Sequence, residues 1–263
     1  MKQTDPAPGR MSVEVLAVHH WTDELFSFRT SRDPSFRFES GQFVMIGLEI
    51  EGRPVMRAYS IASPSWADEL EFYSIKVADG ELTSRLRSIE AGERLLIGRK
   101  ATGTLVLSAL RPGRTLYLLA TGTGLAPFLA LVREPEVYER FDHVVLAHGC
   151  RQEQDLSYHD LLSDIWPTDP ELGPIISGKL LYFPTLTREP FINNGRLTDH
   201  IASGRLAAAH QLAPLNPDND RVMICGSSDM LRDTRALLET KGFTEGSLSR
   251  PGDYVVERAF VDS

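Results

Sequence analysis

Thr115-Leu116-Tyr117-Leu118-Leu119-Ala120-Thr121-Gly122-Thr123-Gly124-Leu125-Ala126-Pro127 is the stretch that decides the fold of this chain. Thr115–Ala120 is a continuous apolar run of strand length, followed directly by a glycine turn. Pro127 then suits the first turn of a helix, where its missing N–H costs nothing. The pattern departs from G-x-G-x-x-G, because proline stands in place of the third glycine. A buried strand that turns through glycines into a helix brings backbone N–H groups to a point where a pyrophosphate can be held. Gly122, Thr123 and Gly124 therefore read as a phosphate cradle.

Downstream of this stretch, Val144–Ala147, Leu180–Tyr182 and Arg221–Cys225 are further apolar strands. Tyr158–Ile165 and Asp229–Thr240 read as helices, Arg196–Ser203 continues the alternation, and Tyr254–Phe260 is a last strand. Strands alternating with helices predict parallel βαβ units and an open sheet. Upstream of Pro112-Gly113 the texture differs. Ser12–Val18, Leu25–Arg29, Gln42–Leu48, Val55–Ile61, Leu70–Ile75 and Arg94–Ile97 are short apolar or alternating runs between turn signals, as in a closed or sandwich-like β-domain. Leu82–Ile89 is the helix expected within it. The organisation predicted is therefore a two-domain β plus α/β protein, with residues 1–112 as the β-domain and 113–263 as the parallel-sheet domain. Residues 1–11, polar and carrying Pro6, Pro8 and Gly9, read as a flexible arm and not as a signal peptide.

At 263 residues the chain is long enough for two domains. No apolar run approaches the length of a membrane span. Only Cys150 and Cys225 are present, too few for a four-cysteine iron–sulfur cluster within this chain, and a reducing cytoplasm is the expected compartment. The histidines lack ligand spacing, so no metal is expected. The net charge of −8 is uneven: Lys and Arg against Asp and Glu number 14 to 15 in residues 1–112 and 14 to 21 in residues 113–263. Such a balance excludes a basic nucleic-acid-binding surface covering a whole domain.

Within the first half, Arg57-Ala58-Tyr59-Ser60 sets a cation, an aromatic ring and a hydroxyl on one strand. A flavin dinucleotide needs a cation for its pyrophosphate and a ring to stack on its isoalloxazine. On the tetrapeptide alone, an ordinary exposed strand is the better reading. Thr83 and Ser84, at the start of the Leu82–Ile89 helix, add hydroxyls where an anion is favoured; they fit an ordinary N-cap too. Tyr73 and Lys76 on the preceding strand either flank a cofactor or coat a sheet.

In the second half, Arg151, Arg188 and Arg196 follow strands, where a cation in place of an acid favours NADP over NAD. Thr187 stands beside them. Cys225, at a strand end in an open sheet, is a candidate for nicotinamide contact, and Cys150 for plain packing.

These motifs, with Phe72-Tyr73-Ser74-Ile75-Lys76-Val77, Leu82-Thr83-Ser84, Thr187-Arg188-Glu189, Val222–Ser227 and Val255–Phe260, occur in an order that resembles the bacterial branch of the ferredoxin–NADP⁺ reductase family, from about Val13 onward. The resemblance implies an N-terminal antiparallel FAD-binding β-barrel and a C-terminal NADP-binding α/β domain. It implies a flavoenzyme that takes hydride from NADPH and exchanges single electrons with ferredoxin or flavodoxin. FAD would be held by Arg57, Ala58, Tyr59 and Ser60, by Tyr73, Ser74, Ile75 and Lys76, and by Leu82, Thr83, Ser84 and Thr121. Ser60 would lie near flavin N5, and Ala259 and Phe260 would complete the flavin site. NADP would be held by Gly122, Thr123 and Gly124, by Arg151, Thr187, Arg188 and Arg196, and by Cys225, Gly226, Ser227 and Asp229. Ser60, Cys225 and Glu257 would surround the reacting atoms. Ala259 stands where plastid-type relatives carry a ring-covering tyrosine, so nicotinamide access would be controlled differently here.

Other readings of the same residues are the electron-transfer subunit of a larger oxygenase or dehydrogenase, and a flavin-binding sensor module. The chain is expected to act as a monomer, off the membrane. Arg85, Arg87, Arg99 and Lys100 are expected to form a local basic patch that steers an acidic carrier.

Overall fold

The computed structural model describes residues 9–77 and 80–258. Six antiparallel strands come first: β1 (Arg10–His20), β2 (Leu25–Ser31), β3 (Phe43–Ile50), β4 (Arg53–Ser60), β5 (Glu69–Ile75) and β6 (Arg94–Gly98), in the order β4-β3-β6-β1-β2-β5. The sheet curls until its two edges meet. Just beyond β4, Ile61 bridges Phe72 of β5, and the Ala62 N–H donates to the Glu71 carbonyl at 2.8 Å. That contact closes the barrel expected from the short alternating strands. Phe26, Phe28 and Phe72 fill its interior, with ring centroids 6.0 and 5.3 Å apart.

The second sheet is parallel: β7 (Thr115–Thr121), β8 (His143–Cys150), β9 (Leu180–Leu186), β10 (Asp220–Gly226) and β11 (Tyr254–Arg258), in the order β11-β10-β7-β8-β9. Central β7 is covered on both faces, which is why it reads as an unbroken apolar run. From β7 the chain moves to β8 on one side and later to β10 on the other. The gap between the carboxyl ends of β7 and β10 is thus the topological switch point, where open α/β sheets bind ligands.

The helices are short except the last: α1 (Thr83–Leu86), α2 (Ala126–Leu131), α3 (Pro135–Arg140), α4 (Trp166–Thr168), α5 (Gly173–Ile176), α6 (Leu197–Ala202), α7 (Arg205–Ala208) and α8 (Ser228–Thr240). All six residues of α2 are buried. Phe128, Leu129 and Leu131 join one core with Leu25, Ala62 and Tyr73 of the barrel. The two sheets therefore meet across α2.

Several boundaries differ from the sequence reading. The helix expected over Leu82–Ile89 is confined to α1, because beyond Arg87 the bonds tighten to i→i−3, with Ser88 donating to Arg85 and Ile89 to Leu86. The helix expected over Tyr158–Ile165 becomes a wide π turn over Leu161–Ile165, and Pro167 then has no N–H to continue an ordinary ladder. Arg10 and Met11, assigned to a flexible arm, are the first residues of β1 and pair with Gly98 and Ile97; Met11 is buried in the barrel core. Strand β8 runs on through Cys150, so His148 and Gly149 are strand residues and only Arg151 follows the strand.

Candidate functional site

The carboxyl ends of β7 and β10 are stitched together by their own polar groups. Thr121 Oγ1 accepts from the Ser227 N–H at 3.1 Å. Gly122 adopts φ +52°, a left-handed conformation suited to glycine. Gly124 packs against the Cys225 carbonyl so closely that any Cβ would collide with backbone. Residues 122–125 form one tight turn that leads into α2, with Pro127 in the first helical turn. The Thr123 hydroxyl, buried within this turn, has no hydrogen-bond partner among the described residues, and an unpaired buried hydroxyl calls for an explanation.

His148, one residue past the Val144–Ala147 run, anchors the turn from below. Its Nε2 lies 3.1 Å from the Gly122 carbonyl. Burial pushes its pKa down to about 4, so the ring is neutral near pH 7 and donates this bond from Nε2. The available signal was its place directly after the buried run Val144–Ala147. Cys150 Sγ lies 3.3 Å from the same nitrogen, and burial raises its thiol to about 12, in keeping with a packing role.

Beside the turn, Cys225 of β10 faces Glu257 of β11 in register. The thiol is buried, and burial together with the Glu257 charge raises its pKa. Glu257 Oε1 accepts from the Thr104 N–H and from the Thr104 hydroxyl, the latter at 3.3 Å. Burial nonetheless lifts the Glu257 carboxyl to about 7. A cavity of about 570 Å³ between α8 and β11 has Ser228, Arg232, Arg258 and Glu257 on its wall. Asp229 pairs with Arg232 at 2.8 Å.

The arginines cluster at the far end of the sheet. The Arg188 N–H donates to the Arg151 carbonyl at 3.0 Å, and the Thr187 N–H to Cys150 at 3.1 Å. Arg196 stands at the N-terminal boundary of α6, one residue past Gly195, whose N–H donates to the Leu186 carbonyl at 2.8 Å. All three arginines are exposed. None is joined to a carboxylate among the described residues. An open cavity of about 490 Å³ runs past Thr187 and Arg188 to Phe191 and Asn194. Phe191 escaped the sequence reading because it carries neither a charge nor a motif.

On the barrel, Tyr59 and Ser74 come together from β4 and β5, the Ser74 hydroxyl donating to Tyr59 Oη at 3.4 Å. Arg57 is half-buried and donates to the carbonyl of its neighbour Met56 at 2.9 Å; Ala58 is exposed and Ser60 half-buried. Ile75 and Lys76, half-buried, follow Ser74. Leu82 is buried under α1, Thr83 Oγ1 donates to the Val77 carbonyl at 3.2 Å, and Ser84 Oγ to Glu81 at 3.5 Å. No hydrogen bond joins Arg57 to Thr83 or Ser84 among the described residues. Tyr73 points into the seam between the sheets, where its hydroxyl donates to Ser157 at 2.9 Å and its ring meets Tyr158 edge-on at 5.2 Å. Ala259 and Phe260 lie outside the described residues.

A curled antiparallel sheet and a parallel sheet with a glycine turn at its switch point define a two-domain flavin- and nicotinamide-dependent oxidoreductase. Family models agree: one described as an oxidoreductase FAD-binding domain matches residues 14–103, and one described as an oxidoreductase NAD-binding domain matches 118–236. Ferredoxin–NADP reductase A of Sorangium cellulosum is 56% identical over 254 residues, covering 97% of this chain and 91% of its own. The Escherichia coli flavodoxin/ferredoxin–NADP reductase is 37% identical, covering 84% and 87%. A crystal structure of a ferredoxin NADP⁺ reductase from Neisseria gonorrhoeae with bound FAD and NADP superposes with a TM-score of 0.88 at 29% identity, over 96% and 99% of the two chains. The chain belongs to the ferredoxin–NADP reductase family.

Proposed function

We propose that this chain moves electrons between NADPH and a ferredoxin or flavodoxin through a bound FAD, with the two units dividing near Pro112-Gly113. The observation that carries the reading is the switch-point turn, with its unpartnered Thr123 hydroxyl, lying across α2 from the barrel that carries Arg57–Ser60. The donor set fits both groups. Gly122–Gly124 supply backbone N–H groups and a free hydroxyl for the NADP pyrophosphate. Arg151, Arg188 and Arg196 supply exposed cations for a 2′-phosphate. On the barrel, Arg57, Thr83 and Ser84 bond only to local carbonyls among the described residues and can exchange those weak partners for FAD oxygens.

Bound FAD supplies the conversion between hydride and single-electron chemistry. This chain's own residues hold and orient. Tyr59, fixed by Ser74, offers its ring to the flavin, and Ser60 its hydroxyl. Buried Cys225 gives an apolar, unionised wall for the nicotinamide. Glu257, with a carboxyl near 7, is placed to hold or release a proton beside Cys225. Arg85, Arg87, Arg99 and Lys100 are all exposed and would guide an acidic carrier in spite of the overall −8 charge. We further propose that the chain acts as a cytoplasmic monomer.

Stopped-flow mixing tests the reading in one series. NADPH should bleach the flavin absorbance of the purified protein, and the reduced protein should then reduce the organism's ferredoxin and flavodoxin at rates that fall as salt rises. A chain that never retains FAD would overturn the flavoenzyme reading. Carrier rates that ignore salt and charge reversal at Arg85 and Arg87 would remove only the steering patch.

A further inference from the structure

Helix α2 starts at the glycine turn and its chain runs on, through Val132, into Arg133-Glu134. Both side chains reach into the barrel. Arg133 Nη2 donates to the Ala62 carbonyl at 2.5 Å and lies 3.1 Å from Glu71 Oε2. Its Nε folds back onto the Leu129 carbonyl of α2 at 2.9 Å. Its guanidinium lies over the Trp166 ring, 4.9 Å from the centroid. Glu71 is held from the other side too, because the Tyr158 hydroxyl donates to its Oε1 at 3.0 Å. Glu134 Oε1 accepts from the Ser40 hydroxyl at 2.5 Å and from the Ser65 N–H at 2.7 Å.

Two of these bonds, to Ala62 and Ser65, fall on one short segment. Ala62 and Ser65 lie two and five residues beyond Ser60, on the stretch that leaves β4 and closes the barrel against β5. Glu71 lies on β5, two residues before Tyr73. Hence α2 is tied at one end to the nucleotide turn and at the other to the chain that carries the flavin residues. The Arg133 and Glu71 side chains are only 17% and 18% exposed. An ion pair so shielded adds little net stability over an apolar contact, since desolvation offsets its attraction. Such a pair can instead fix register, because removing one partner leaves a shielded charge unpaired.

We propose that Arg133 and Glu134 are positioning residues. They make α2 a strut that sets the separation between the Gly122–Gly124 turn and the Ser60 end of β4, and with it the distance over which hydride passes. The proposal rests on the reading of those two segments as nucleotide and flavin sites. Transfer rates are sensitive to displacements well under the size of an atom, whereas binding of the adenosine end is not. A strut should therefore govern the rate of flavin reduction more than nucleotide affinity.

The test uses the FAD-loaded protein and Arg133→Met, which keeps a stem over Trp166 and removes the guanidinium bonds. Rapid mixing with NADPH, and with NADPH deuterated at the transferring position, is expected to show a saturating reduction rate lower by about tenfold or more. NADPH affinity should stay within about twofold. The isotope effect should rise and depend more steeply on temperature, and Arg133→Lys should recover part of the rate. Glu134→Gln, which preserves volume, should shift the same readouts in the same direction by less, and it decides the matter should Arg133→Met fail to fold. A melting temperature that drops while rate and isotope effect stay at wild-type values would overturn the proposal and leave Arg133 as interface glue. Wild-type protein that NADPH does not reduce would instead overturn the functional reading beneath it.

Discussion

The proposed nucleotide side of this molecule is built from backbone, and the proposed flavin side from side chains. At the switch point, Gly122 is held by His148, Thr121 by Ser227, and Gly124 by the Cys225 carbonyl it touches. These contacts support one another, so the turn has its shape before any ligand arrives. On the barrel, Arg57, Thr83 and Ser84 bond to carbonyls close to them in the chain, at 2.9, 3.2 and 3.5 Å. Those groups are half-buried and can turn to a ligand at small net cost, since each local bond contributes little. A preformed cradle suits a nucleotide that comes and goes at every turnover. A grip that closes around its ligand suits a cofactor that stays.

The largest expected effect breaks this contrast from the nucleotide side. Gly124→Ala places a Cβ onto the Cys225 carbonyl, and neither strand end can yield without pulling the Thr121–Ser227 bond apart. We expect NADPH to lose nearly all power to bleach the flavin while FAD content stays close to wild type, read by absorbance during anaerobic titration. By contrast Thr83→Ala, on the flavin side, should weaken FAD retention only a few-fold (about 1 kcal/mol). Comparable losses from both would show that the flavin site is as rigidly built as the nucleotide site.

A smaller effect sharpens the contrast within the nucleotide side. The turn is backbone, but the arginine cluster is exposed side chain, free of carboxylate partners among the described residues. Arg188→Ala should raise the apparent NADPH constant by about one to two orders of magnitude, the worth of a charged hydrogen bond to phosphate. The NADH constant should change much less. Equal losses with both nucleotides would make Arg188 a structural residue through its backbone bond to Arg151.

What could be read in the sequence follows the same division. Strand β7 and its turn were legible because burial on both faces forces a continuous apolar run, and glycine at a close approach has no substitute. The barrel strands were legible from alternation and turn residues. His148 was not, because a neutral histidine buried against a carbonyl has the same letter as one in a loop. The Glu71–Arg133–Tyr158 contact was hidden for another reason. Its members lie 62 residues apart for Arg133 and Glu71 and 87 for Tyr158 and Glu71, and no spacing rule links residues joined only by the packing of two sheets. Tyr73 shows both limits: its motif marked it for the flavin, while its hydroxyl answers to Ser157 across the seam.

Glu257 belongs to neither side cleanly, and its titration gives the smallest and most specific test. It stands on β11 of the parallel sheet, but its carboxylate answers to Thr104, on the barrel side of the Pro112-Gly113 turn. Burial raises its carboxyl from 4.5 to about 7, against the lowering effect of the Thr104 bonds. A folded-state pKa above the unfolded one means that the protonated form favours folding. The stability it contributes is then fully present below the unfolded value near 4.5, and lost as pH rises through about 7. Glu257→Gln keeps a neutral group of the same shape at every pH. The melting temperature of wild type relative to this variant should therefore fall steadily across that interval and level off above it, measured on FAD-loaded protein in matched buffers. A difference that does not change with pH would mean that the carboxyl titrates at its ordinary value, and that the site between Cys225 and Thr104 is wetter than its packing implies.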